Sequence, residues 1–195
     1  MTDDRRPPPV RVRITGLQEA QLPLLVQLEQ RTAELRTEGG VSEDLARPFD
    51  DRAILSMLRT HDLRVLEADH EPSGYLAWHD EAPGVAIVDR LLVEPSLQRY
   101  GLGTRLLREV GEKASAHGIE VAVIVVPAGD APAALFLGKR GFTDRAPEPD
   151  RAPAALVEWL AGRLEAVAPS GTTLWWGRTD GLGTIPGLPP PVPTW

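Results

Sequence analysis

The chain has 195 residues, 42% of them hydrophobic and 25% charged, with no cysteine and a formal net charge of -7. That length and mixture suit one compact domain with room for an appendage. The missing cysteines exclude disulfides, thiolate nucleophiles and cysteine metal sites, while the acidic balance argues against a nucleic-acid partner and suits a cationic or amine-bearing one.

The first nine residues, MTDDRRPPP, are charged and proline-rich and read as a flexible arm. They lack the apolar stretch of a secretory leader, and no apolar run reaches the length of about 18 residues that a membrane span needs. A cytoplasmic protein without a membrane partner is therefore expected. Val10 to Ile14 alternates apolar and basic residues, as a half-buried edge strand does. Leu17 to Leu35 carries a helical stripe of leucines, which Gly39-Gly40 ends. Ser42 is placed to cap a second helix, running to about Arg59 and interrupted near Pro48.

Leu63 to Ala68 and Gly74 to Trp78 read as a hairpin around the turn DHEPSG. Val85 to Val93, VAIVDRLLV, is apolar enough for the middle of a sheet. Gly101 to His117 is an amphipathic helix, closed by Gly118. Ile119 to Val126 is a buried strand, and Ala131 to Arg140 a short helix before Gly141-Phe142. Ala154 to Val167 has an apolar helical stripe, and Thr172 to Arg178 reads as a last strand, its two tryptophans on opposite faces. The Pro/Gly-rich end holds no regular element. The expected organisation is an arm over 1–9, a single domain over 10–179 with an extra helix near 154–167, and a tail over 180–195. Trp195 would let that tail dock over a pocket or onto a second subunit of a homodimer.

The stretch VEPSLQRYGLGTRLL places two glycines where a strand becomes a helix. The first N–H groups of a helix have no internal partner, and their dipoles favour an anion. Glycine lets a phosphate reach that backbone without striking a Cβ. The dinucleotide fingerprint needs a third glycine where Leu106 stands, and the Walker pattern needs Gly-Lys-Ser/Thr, so neither fits. What the stretch resembles is motif A of the GNAT superfamily, the acyl-CoA-dependent N-acyltransferases. DAPAALFLGKRGF is similar to that family's second cofactor helix, and the order of elements from Val10 to Phe142 matches as well. The resemblance implies an α/β fold with a mixed central sheet of about six or seven strands flanked by helices. It implies acetyl-CoA as acyl donor, bound by the main chain of Gln98, Arg99, Tyr100, Gly101, Leu102, Gly103 and Thr104, with Leu91, Leu92 and Val93 along the pantetheine arm and Asp130 at the start of the second cofactor helix. No metal is implied. The acceptor would be the primary amine of a small molecule or peptide.

Two positions depart from the family pattern. Asp130 stands where many members have asparagine, and Leu137 where many have the tyrosine that protonates the departing thiolate. The family's usual base is a glutamate on the central strand, and the one acidic residue within that strand here is Asp89. On an apolar strand face a carboxylate is costly unless paired or functional, so Asp89 is either a partner in a salt bridge or the base that takes the amine proton. Glu94, Glu120 and His79 are further candidates for the base. Tyr100, in the phosphate loop, is a further candidate for the acid. His61, His70 and His117 fall at turns and helix ends, and no metal-ligand spacing of the H-E-x-x-H type is present. Without the tyrosine, the alternative is a degenerate member that binds acyl-CoA or a partner protein without turnover.

Overall fold

The computed structural model describes residues 11–161 and 163–182. Six strands form one sheet in the order of the chain: β1 Val12–Gly16, β2 Asp62–Ala68, β3 Glu71–Ala82, β4 Val85–Val93, β5 Val121–Pro127 and β6 Thr172–Arg178. All neighbours are antiparallel except β4 and β5, which run parallel. A parallel pair needs a crossover, and helix α4 provides it. The helices are α1 Leu22–Glu38, α2 Glu43–Ala46, α3 Asp51–Met57, α4 Leu102–Ala116, α5 Ala131–Gly138, α6 Ala154–Leu160 and α7 Leu164–Val167. The mixed sheet with flanking helices is the expected α/β architecture, with β6 as the sixth strand.

One face of the sheet packs on α4. Leu66, Leu76, Trp78, Val88 and Ile124 meet Leu102, Leu106, Leu107 and Val110 there. The opposite face is covered in two parts. Leu25, Leu28 and Ile54 pack on Val65, Tyr75 and Leu92, and Leu156 and Trp159 of α6 pack on Val85, Val121, Val123 and Leu174. Trp175 belongs to the α4 side and Trp176 to the α6 side, one ring on each face.

Three local features differ from the sequence reading. The hairpin turn is only Asp69-His70, both with positive φ (52° and 72°), so β3 begins at Glu71. The helix expected over 154–167 breaks after Leu160, where Ala161 turns to ψ 108°. Leu182, within the expected tail, is buried in the α4-side core. The arm over 1–9 and the tail beyond Leu182 lie outside the described residues.

Candidate active site

The central strand changes partners along its length. Its ladder with β5 runs from Val85↔Val121 to Val88↔Ile124 and then stops, although β4 continues to Val93 and β5 to Pro127. Among the described residues, the edge of β4 that faces β5 therefore carries no strand ladder from Asp89 to Val93. Opposite, on the β3 side, Trp78 pairs with Val88 and Ala77 with Arg90, so Asp89 is the extra residue of a β-bulge. Val88 and Leu91 both point to the α4 side, while Ile87 and Leu92 belong to the other face. The bulge thus turns the neighbours Asp89 and Arg90 to one face, away from α4.

At the far end of this free edge lies the glycine loop. Arg99 and Gly101 both have positive φ (71° and 78°), and Gly101 caps α4. The first intrahelical bond is donated by Arg105 N–H to the Gly101 carbonyl at 3.1 Å, so the N–H groups of Leu102, Gly103 and Thr104 precede the ladder. A Cβ on Gly101 would meet nothing within 4 Å, whereas one on Gly103 would come within 3.1 Å of the Phe136 ring of α5. The two glycines thus have different reasons. Gly101 supplies the left-handed turn and an open approach, and Gly103 lets α5 close on α4.

The side chains of Gln98 and Thr104 are committed elsewhere. The Gln98 amide donates to the Val93 carbonyl at 3.2 Å, tying the loop back to β4. The Thr104 hydroxyl accepts from Arg140 Nε at 2.7 Å. Arg140 in turn stacks over Phe136. Tyr100 is exposed. Asp130 caps α5 by accepting from Ala133 N–H and is ion-paired with Arg36 of α1 at 2.9 Å. Leu137, at the position of the family's tyrosine, is buried in the core.

The Asp89 carboxylate has two histidine partners. His79 Nδ1 lies 2.7 Å and His61 Nε2 3.0 Å from its Oδ2. His79 Nε2 continues to Glu81 Oε2 at 3.2 Å. Trp159 Nε1 reaches the other oxygen of Glu81 at 3.5 Å. Asp89, Glu81, Trp159 and Arg163 line a cleft of about 620 Å³ that also contains Val125 of β5, so the carboxylate opens onto space where β4 and β5 part. The partners left open for Asp89 are therefore two histidine rings. Arg90 has a different partner: with Tyr75 it clasps Glu29 of α1, a carboxylate with no exposure. Arg90 Nε donates to Glu29 Oε1 at 2.8 Å, a second Arg90 nitrogen and the Tyr75 hydroxyl donate as well, and Phe49 N–H adds a bond at 3.1 Å. Burial, then the Glu29 charge, pushes the Tyr75 hydroxyl far above its usual value. Burial alone would lower Arg90, but its hydrogen bonds to Glu29 and that group's charge outweigh it and raise it. Of the other base candidates, His79 touches Asp89, Glu94 is paired with Arg31 at 2.6 Å, and Glu120 is exposed beside the turn before β5.

His61 is the site residue that sequence reasoning set aside. No local motif marks it. Strand register does: Asp62 pairs with Trp78, so the position before β2 falls opposite His79, and His79 pairs with Ile87, two residues from Asp89.

The chain matches the family described as "Acetyltransferase (GNAT) family" over residues 26–142. No curated protein matches it in sequence. Among solved structures it is similar to the PaiA N-acetyltransferase of Thermoplasma acidophilum in complex with coenzyme A, at 15% identity and TM-score 0.69, covering 87% of this chain and 99% of that one. It is similar to the ribosomal-protein-S18-alanine N-acetyltransferase of Escherichia coli at 17% identity and TM-score 0.61, over 87% and 95% of the two chains. It also resembles N-acetylglutamate synthase of Neisseria gonorrhoeae, complexed with coenzyme A and N-acetyl-glutamate, at 18% identity and TM-score 0.60, over 87% of this chain and 35% of that one. Among the described residues, no helix is long and apolar enough to cross a membrane.

Proposed function

The chain belongs to the GNAT acetyltransferase family, and from that premise we propose that it moves an acetyl or short acyl group from CoA directly to the primary amine of a small molecule or peptide, with Asp89 taking the amine proton. One observation carries the reading: the free edge of β4 runs from the uncapped N–H groups of α4 to a bulge whose extra residue is a carboxylate facing a cleft. The N–H groups of Leu102, Gly103 and Thr104 would hold the pyrophosphate, as helix N-termini hold anions. Leu91 to Val93 would pair with the pantetheine arm, which brings the thioester to the bulge. The amine would enter from the cleft lined by Glu81, Trp159 and Arg163. Holding both reactants in contact supplies much of the rate.

The ammonium must lose a proton before it attacks. Asp89 accepts it, and the chain Asp89–His79–Glu81 offers a route outward through contacts of 2.7 and 3.2 Å. A main-chain N–H of β4 next to the bulge would stabilise the oxyanion. Buried Leu137 has no proton to give the thiolate, which leaves with a pKa close to that of a free thiol. A CoA-release assay over a panel of amines tests the activity. Asp89→Asn should lower kcat by about 10²-fold or more with CoA affinity unchanged, and undiminished turnover would remove Asp89 from the role. The buried Leu137 favours one second reading, an acyl-CoA-binding member without turnover. That reading predicts CoA binding with no release for any amine.

A further inference from the structure

His61 before β2, His79 of β3 and Asp89 of β4 present three ligand atoms, all within 4.8 Å of one another. Both histidine nitrogens converge on the same oxygen of Asp89. We propose that His61 Nε2, His79 Nδ1 and Asp89 Oδ2 bind a borderline divalent transition-metal ion of the Zn²⁺ class, and that the ion inhibits acyl transfer by occupying the carboxylate that the amine requires. Metal binding stands on these residues alone, and only the inhibition rests on the activity proposed above.

The donor set fits such an ion. Two imidazoles and a carboxylate suit Zn²⁺, Co²⁺ or Fe²⁺ and select against Mg²⁺ and Ca²⁺, which prefer oxygen. Bonds of about 2.0–2.2 Å in a tetrahedral arrangement separate the ligand atoms by roughly 3.3 Å. The present contacts of 2.7 and 3.0 Å are closer, and all three ligand atoms lie within 4.8 Å of one another, so rotations about χ would bring them to bonding distance of one ion. The far nitrogen of each ring is already held. Thr60 Oγ1 lies 2.7 Å from His61 Nδ1, and Glu81 Oε2 lies 3.2 Å from His79 Nε2. Such outer contacts fix the ring orientation of metal-ligating histidines. Two of the three ligands stand on adjacent paired strands, so the ion would find them placed rather than gather them. With three protein ligands, one position stays open toward the cleft that Asp89 lines, as in zinc sites that keep a place for water or substrate.

The test titrates the full chain with Co²⁺ and Zn²⁺ by visible absorption and calorimetry, with circular dichroism to confirm that each variant is folded. One ion per chain is expected. Affinity should fall at least tenfold in His61→Ala and in His79→Ala, and stay unchanged in His117→Ala, whose ring is exposed at the end of α4. Mg²⁺ should not compete. In the CoA-release assay, Zn²⁺ should lower turnover and a chelator should restore it. Absence of one-to-one binding overturns the proposal, leaving a hydrogen-bonded relay only. So does binding that neither histidine substitution weakens. If no amine supports CoA release, the activity proposal fails while the titrations still decide the metal site.

Discussion

At the scale of single residues, the dominant electrostatic object in the core is the Glu29–Arg90–Tyr75 cluster. Its components come from α1, β4 and β3, and Glu29 has no solvent exposure. A buried pair of this kind adds little over an apolar replacement, but loss of one member strands the other charge. Arg90→Ala should therefore cost about 3–5 kcal/mol in urea unfolding, while the double change Glu29→Leu with Arg90→Met should recover most of it. Because Arg90 follows Asp89 in the bulge, the same clasp anchors the backbone that aims Asp89, and Arg90→Ala should lower turnover in the folded enzyme as well. The cluster also gives stability a pH signature. Tyr75 in the unfolded chain ionises near 10.0, and burial together with the Glu29 charge raises it far above that in the native state. A raised folded value means that the contribution is complete below pH 10 and lost as pH climbs past it, when only the unfolded chain releases the proton. Tyr75→Phe should flatten that alkaline decline, which urea midpoints between about pH 8 and 11 would show.

At the scale of elements, the start of α4 ties sequence to site most directly. The Gly-Leu-Gly pattern was legible as a strand-to-helix junction, and its family resemblance implied acetyl-CoA as the donor. What the pattern could not reveal was that Gly103 is small because the Phe136 ring lies over it, since that contact joins residues far apart in the chain. Gly101→Ala should cost about 1–2 kcal/mol from the left-handed backbone alone, because the added methyl would touch nothing. Gly103→Ala should instead displace Phe136 and loosen α5. Calorimetry with CoA should find affinity reduced in both and abolished in Gly101→Glu, where a negative charge would occupy the seat proposed for the phosphate. The histidines show the opposite limit of legibility. His61 reads as a residue at a turn and His79 as a lone candidate base at a strand end, and only the register set by the two-residue turn Asp69-His70 brings them to Asp89. Apolar periodicity locates strands well, but a shift of one residue in pairing reverses every face. Side-chain clusters that cross strands therefore stay hidden until the register is known.

At the scale of the whole molecule, the described chain closes on itself through the turn after β6. Thr179 N–H donates to the Glu120 carbonyl at 3.0 Å, and the Thr179 hydroxyl donates to the Ile119 carbonyl at 2.6 Å. Leu182 then enters the α4-side core with 4% exposure. The sequence marks this stretch only as the start of a Gly/Pro-rich run, because a single leucine has no period. Its acceptor on α4 was equally unmarked: Gly111 reads as a weak spot in a helix. A Cβ there would come within 2.8 Å of the Thr179 carbonyl and 3.0 Å of the Leu182 Cβ. The first contact is with backbone that is itself hydrogen-bonded to Ile119 and Glu120 just before β5, which resists its moving aside. Gly111→Ala should therefore destabilise the full chain, although alanine is the better helix former by about 0.8–1.0 kcal/mol. In a chain ending at Arg178 the obstruction is gone. That chain should be less stable, since it lacks the buried Leu182 and the Thr179 bonds, but within it Gly111→Ala should stabilise. Paired urea unfolding of the four proteins measures this reversal of sign. The same sign in both backgrounds would mean that the 179–182 turn does not press on α4 in solution.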